Sequence, residues 1–257
     1  MPTERSSGGN PARTLQLLWH EDGGADSRRG PRPGLSAGQV AAAAIALADS
    51  DGLGAVTMRA VANALGVVPM SLYTYVPGKA ELLDLMLDTA YRQMPRDDLS
   101  GRPWRERLAV IAQQNRDLFS HHPWIAEVAT SRPPLGPGLM AKYEYELRAF
   151  DGLGLDDVEM DAALTFLLGF VQAAARSAAD TASARQDSAM SEEQWWAANA
   201  PLLARVFDET KYPTAARVGA AAGAAHGAAY DADHAYHFGL QRVLDGLGIL
   251  IDTSGAR

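Results

Sequence analysis

The 257-residue chain contains no cysteine. That removes disulfides, thiolate metal sites and cysteine nucleophiles, and it fits a reducing compartment. No segment reaches about 18 uninterrupted apolar residues, so no membrane span is expected. The opening stretch MPTERSSGGNPARTLQLLWHEDGG lacks a basic region leading into a long apolar run; it does not read as a secretory signal, and a cytoplasmic location is expected. The glycine-rich phosphate loops G-x-x-x-x-G-K-[ST] and G-x-G-x-x-G are missing, so nucleotide chemistry has no support and no cofactor is expected. No stretch alternates apolar and polar residues long enough for a strand, and no solenoid-length repeat occurs.

What is present is apolar, acidic and helix-forming. With 47% hydrophobic residues, the chain can bury the core of one large domain or two of ordinary size. The formal net charge is -8, but its distribution is uneven. From Arg28 to Lys79 the bases Arg28, Arg29, Arg32, Arg59 and Lys79 face only Asp49 and Asp51, leaving +3 there and -11 for the remainder. A small basic reading head on an acidic body is compatible with that asymmetry.

Residues 1–34, rich in Gly, Pro, Ser and charge, read as a mostly disordered arm, with Thr14 to His20 a short helix or docking segment. Ser36 is placed to cap a helix running to about Asp51, with Gly52 and Gly54 as stops. Thr57 can cap a second helix in which Val61 and Leu65 share a face, and Gly66 sits where a left-handed residue is wanted. Pro69 suits the first turn of a third helix, and Val68 before it is pushed to extended backbone. That helix puts Leu72, Tyr75 and Val76 on one stripe and turns Met70, Ser71, Tyr73 and Thr74 outward. Further helices are expected from about Lys79, then over Trp104 to His121, Pro123 to Ser131, Met140 to Asp151, Asp156 to about Asp187, Ser191 to Asp208 and Asp231 to about Ile251. The Ala/Gly-rich stretch Val218 to Tyr230 reads as a weak helix or a linker. The fold class is all-α.

Two short helices joined by a Gly-containing turn have the form of a helix-turn-helix, whose second helix can enter a major groove. The chemistry around the turn favours that use over a plain helical hairpin. Ser71 and Tyr73 can bond phosphate or base edges, Arg59 projects from the preceding helix, and Lys79 adds a cation to a helix start that attracts phosphate. Arg28, Arg29 and Arg32 lie on the Gly/Pro-rich arm, a composition suited to a minor groove.

Residues Ser36 to Asp88, through "SAGQVAAAAIALADSDG", "TMRAVANALGV", "MSLYTYVPGK" and "AELLDLMLD", resemble the DNA-binding domain of the TetR (tetracycline repressor) family. "WRERLAVIAQQNRDLF", "TSRP" and "AYHFGLQRVLDGLGILI" resemble the family's ligand-binding and dimerisation domain more loosely. The resemblance implies an arm (1–34), a helix-turn-helix domain (35–80) and a helical effector and dimerisation domain (81–257). It also implies a ligand-responsive repressor that binds a double-stranded, near-palindromic operator as a homodimer. Matched positions put Arg59, Pro69, Met70, Ser71, Tyr73 and Lys79 toward DNA, with Thr57 and Thr74 beside them. Pro69 stands where the family's founding member has a base-reading glutamine, so a different operator is implied, with Met70 limited to apolar contact such as a thymine methyl.

The dimer core would be Asp156 to Asp187 with Asp231 to Ile251, whose wide apolar faces include small residues. An effector pocket would draw on Ile111, Asn115, Phe119, Ser131, Tyr143, Glu146, Phe150, Phe166 and Phe170, each also suited to plain core. Trp195 and Trp196 cannot face the same way, so one is available to cover the pocket or a partner. Val128 replaces the founding member's metal-binding histidine upstream of Thr130, Ser131, Arg132 and Pro133, and Ile111 and Asn115 replace its Asn and Phe. A different effector, bound without metal, is implied. Two alternatives remain: a repressor with no effector, and a helical metalloenzyme using Asp231, His234 and His237, although no Glu-x-x-His motif supplies facing ligands.

Overall fold

The computed structural model describes residues 5–19, 35–128 and 132–254. Among them the chain forms helices α1 (Pro11–Trp19), α2 (Ala37–Asp51), α3 (Met58–Ala64), α4 (Pro69–Leu72), α5 (Lys79–Gln93), α6 (Trp104–His121), α7 (Pro123–Glu127), α8 (Pro137–Arg148), α9 (Asp157–Ser188), α10 (Glu192–Val206), α11 (Pro213–His226) and α12 (Ala232–Ser254), with no strand.

Local chemistry sets most boundaries. Ser36 and Gln39 form a reciprocal capping box at α2, Thr57 caps α3 through the Ala60 N–H, and Asp156 with Glu159 repeats the box at α9. Gly66 takes φ 67° in the turn, and Pro69 opens α4 after an extended Val68, as the sequence predicts. The helical hydrogen bonds of α4 stop at Leu72, and its carbonyl then takes the N–H groups of both Tyr75 and Val76 at 2.9 and 2.8 Å. The reading segment is therefore one turn of helix tightened into a second turn. The expected stripe persists, with Leu72 and Val76 fully buried.

Two boundaries differ from expectation, and one open reading is decided for helix. The helix after Pro123 ends at Glu127. The Ala/Gly-rich region is helix α11, opened by Pro213 and closed by Gly227 at φ 62°. α8 begins at Pro137 rather than Met140 because Asp88, on α5, accepts the N–H groups of Gly138 and Leu139 at 3.1 and 2.9 Å. Gly138 is required there, since a Cβ would stand 2.0 Å from the Asp88 carbonyl oxygen. The α5–α8 contact thus ties the N-terminal helices to the body.

Two apolar cores share this framework. One gathers α1 to α5 with Leu118, Trp124, Ile125 and Val128; the other joins α6, α9 and α12 through Leu108, Ile111, Leu167, Leu244 and Leu247. Helix α9 is long and apolar enough by composition to cross a membrane, but its buried residues Ala163, Leu164, Leu167 and Val171 pack into the second core.

The N-terminal arm needs a correction. Residues 5–10, read as disordered, are held against the body, while the short docking helix expected from Thr14 is α1, which starts earlier, at Pro11, and buries Leu18 and Thr14. Ser7 N–H donates to Asp84 at 2.7 Å, Ser6 Oγ donates to the Arg132 carbonyl at 2.7 Å, and Trp19 Nε1 donates to the Leu135 carbonyl at 2.8 Å. Leu18 supplies the apolar anchor that the arm's polar composition conceals.

Burial pushes the Asp84 carboxyl above the ordinary carboxylate range against the pull of the Ser7 N–H, and Glu81 pushes it the same way. Between the unfolded and the raised folded value the native state holds more proton, so this group's contribution to stability falls as pH rises through that window. Asp84→Asn keeps an acceptor for Ser7 and removes the ionisation. Its melting temperature relative to the parent should therefore rise between acid and neutral pH, whereas a difference that is flat or falling with pH would contradict the burial cost.

Candidate functional site

The helix-turn-helix presents one outward face. Thr57 and Arg59 at the start of α3, Pro69 and Met70 of α4, and Tyr73 and Thr74 after it are all exposed, while Ser71 and Lys79 are half-buried. Met70 is 75% and Tyr73 46% exposed, so both side chains are presented to solvent on the outward face. α3 is held behind by Val61 and Ala62, and the reading segment by Leu72 and Val76. The rigid core thus aims side chains whose chemistry suits phosphates and base edges. Arg28, Arg29 and Arg32 lie outside the described residues, as does Ser131.

The residues proposed from sequence for a pocket divide among several places. Ile111 and Phe150 are fully buried in the second core. Asn115 and Glu146 are bonded to each other at 2.6 Å, and Lys142 sits 2.7 Å from both Glu146 oxygens. Asn115 also donates to the Ile111 carbonyl at 2.9 Å. The Lys142 ammonium lies 5.5 Å from the Tyr91 ring centroid, and burial, then Glu146 and Asp88, push the Tyr91 phenol far above its usual value. This network links α5, α6 and α8. Tyr143 donates to Asp161 at 2.7 Å on the surface, and Phe166 is 57% exposed on α9.

A cleft of about 250 Å³ opens elsewhere, between the end of α6, the middle of α9 and the start of α12. Of the sequence candidates among the described residues only Phe119 lines it; Phe170 stands behind, stacked on the lining Tyr236 with centroids 5.8 Å apart. Arg116 and Tyr236 were missed because the contact joins residues far apart in the chain, although the alanine-rich run after Gln172 offered a hint of a smooth wall. Pro123 at the cleft's edge adjoins His122 and Trp124, and both ring nitrogens reach the same Asp49 oxygen of α2 at 2.8 Å. The cleft is thereby linked to the head through a short, hydrogen-bonded path.

The Asp/His cluster has a structural use. Asp231 accepts the His234 N–H at 2.9 Å, closing the start of α12. That bond, then other nearby donors and His side chains, hold its carboxyl below the usual range. His237 Nδ1 pairs with the Asp233 carbonyl at 2.7 Å. Among the described residues no three His, Asp or Glu side chains converge as metal ligands would. Trp196 is half-buried against Gly223 of α11 and Trp195 is exposed, so the adjacent indoles do face apart.

Comparison with known proteins agrees with these features. The profile described as "Bacterial regulatory proteins, tetR family" matches residues 40–86, and "Tetracyclin repressor-like, C-terminal domain" matches residues 97–251. The HTH-type transcriptional repressor DrrR1 of Streptomyces coeruleorubidus is 41% identical over 250 residues, 97% of this chain and 90% of that one. The crystal structure of apo ActR from Streptomyces coelicolor aligns with TM-score 0.67 and 26% identity over 88% of this chain and 99% of its own. The same protein in complex with actinorhodin aligns with TM-score 0.70 and 25% identity over 84% and 96%. Relatives and domains alike indicate a regulator rather than an enzyme, and the chain belongs to the TetR family of DNA-binding transcriptional repressors.

Proposed function

We propose that the protein acts as a homodimer on a near-palindromic operator, each head placing its Pro69–Tyr75 segment in a major groove, and that a small molecule entering the α6–α9–α12 cleft releases the DNA. The carrying observation is the exposed set Arg59, Met70, Tyr73 and Thr74 on a rigid helix-turn-helix. An effector is supported by the ActR complexes, one with (S)-DNPA and one with actinorhodin. Dimerisation is supported by the apolar stripes left uncovered on adjacent helices: Val158 and Phe166 of α9, Phe238 and Ile249 of α12. Release requires only that the ligand prefer the state whose head spacing mismatches the operator. The path from Pro123 through His122 and Trp124 to Asp49 gives that preference a mechanical route to α2.

Tyr73→Ala and Lys79→Ala are expected to weaken binding to DNA flanking the protein's own gene by about tenfold each at fixed salt, read by mobility shift. Replacing Arg28, Arg29 and Arg32 together with alanine should lower the magnitude of the log K against log salt slope by as much as about 3. Unchanged affinity in both point variants would remove the reading head from this face. An unchanged salt slope would reassign the arginines to a solvated tail.

A further inference from the structure

The Tyr236 side chain lines the cleft and is 3% exposed, yet its hydroxyl has no hydrogen-bond partner among the described residues. A buried donor in that state is costly unless something fills the cleft and accepts from it. Around it the surfaces are flat. Ala174, Ala175, Ala178 and Ala179 line one side with no atom beyond Cβ, and Phe119 and Pro123 line the cleft from α6 and α7. Such a slot, about 250 Å³ in volume, suits a small fused ring better than a branched or extended chain.

Charge is supplied at one place. The Arg116 guanidinium carbon lies 4.2 Å from the Tyr236 ring centroid and is ion-paired to Asp233, whose side chain is 76% exposed. An exposed carboxylate in solvent is a weakly held partner, replaceable by a ligand's own anion. His237 stands edge-on to Tyr236; burial pushes the Tyr236 phenol up, Arg116 pulls it down and Asp117 pushes it up again.

We propose that the cleft takes a flat aromatic anion. Its ring slides between the α9 alanines and Phe119, its charged oxygen replaces Asp233 on Arg116, and an oxygen accepts the Tyr236 hydroxyl proton in a hydrogen bond. This names the ligand class of the effector cleft proposed above and rests on that reading.

The test is calorimetric titration of the full chain with 9-anthracenecarboxylate and with uncharged 9-anthracenemethanol. Saturable binding of the carboxylate is expected, about tenfold or more tighter than the alcohol. Tyr236→Phe, which removes only the hydroxyl, should weaken the carboxylate about tenfold. Asp233→Asn should tighten the carboxylate and leave the alcohol unmoved, and Ala178→Leu, a change on the exposed face of α9 that is not expected to disturb the core, should block both. No saturable binding, equal affinity for acid and alcohol, or indifference to Ala178→Leu would overturn the proposal. Operator binding is followed on the same samples. Intact DNA binding without anion binding overturns the ligand class and leaves the regulator reading standing, whereas anion binding by a chain that ignores DNA supports the cleft and counts against that reading.

Discussion

Phe166→Glu combined with Ile249→Glu is expected to give a folded monomer whose operator affinity falls by about a hundredfold or more. Phe166 is 57% and Ile249 70% exposed, so neither change disturbs the chain's own core. In the proposed dimer both side chains lie in the buried face, where an unpaired carboxylate is strongly disfavoured. One head alone makes few phosphate contacts, and the second binding event is no longer intramolecular once the heads separate. Sedimentation velocity would report the change of mass, circular dichroism the retained helix, and mobility shift the lost affinity. A double variant that stays dimeric would place the subunit interface away from α9 and α12.

Lys142→Met is expected to lower folding stability by about 3–5 kcal/mol. Lys142 and Glu146 have side chains 8% and 2% exposed and face each other at 2.7 Å. Removing the ammonium leaves a buried carboxylate with Asn115 as its remaining close donor. Adding Glu146→Gln should recover much of the loss, because an amide can still meet Asn115 and carries no charge. Urea unfolding of the parent, the single and the double variant distinguishes the cases. A double variant no better than the single would mean that the loss comes from the ammonium's place over the Tyr91 ring rather than from the stranded charge.

How much was legible in the sequence follows the range of the interaction. The caps at Ser36 and Thr57, the left-handed Gly66 and the start at Pro69 each depend on residues three or four apart, and all were readable. The start of α8 depends on Asp88, fifty residues upstream of Gly138, and was misplaced. The docking of Ser6 and Ser7 depends on Asp84 and the loop at Arg132, partners that no local composition discloses. The cleft shows the same limit. Helical periodicity marks Ile111, Phe119 and Phe150 alike as inward-facing, and it cannot say that Phe119 borders an opening while the other two are sealed in core. Nor could it pair Arg116 with Tyr236, which meet only because α12 returns alongside α6 and α9.

The central claim is a dimer reading two half-sites. Nuclease footprinting of the full chain on DNA flanking its own gene tests it most directly. Two protected half-sites related by a two-fold axis, with centres about 34–36 Å apart along the duplex, are the predicted result. A single unpaired footprint, or uniform protection without sequence boundaries, would contradict it.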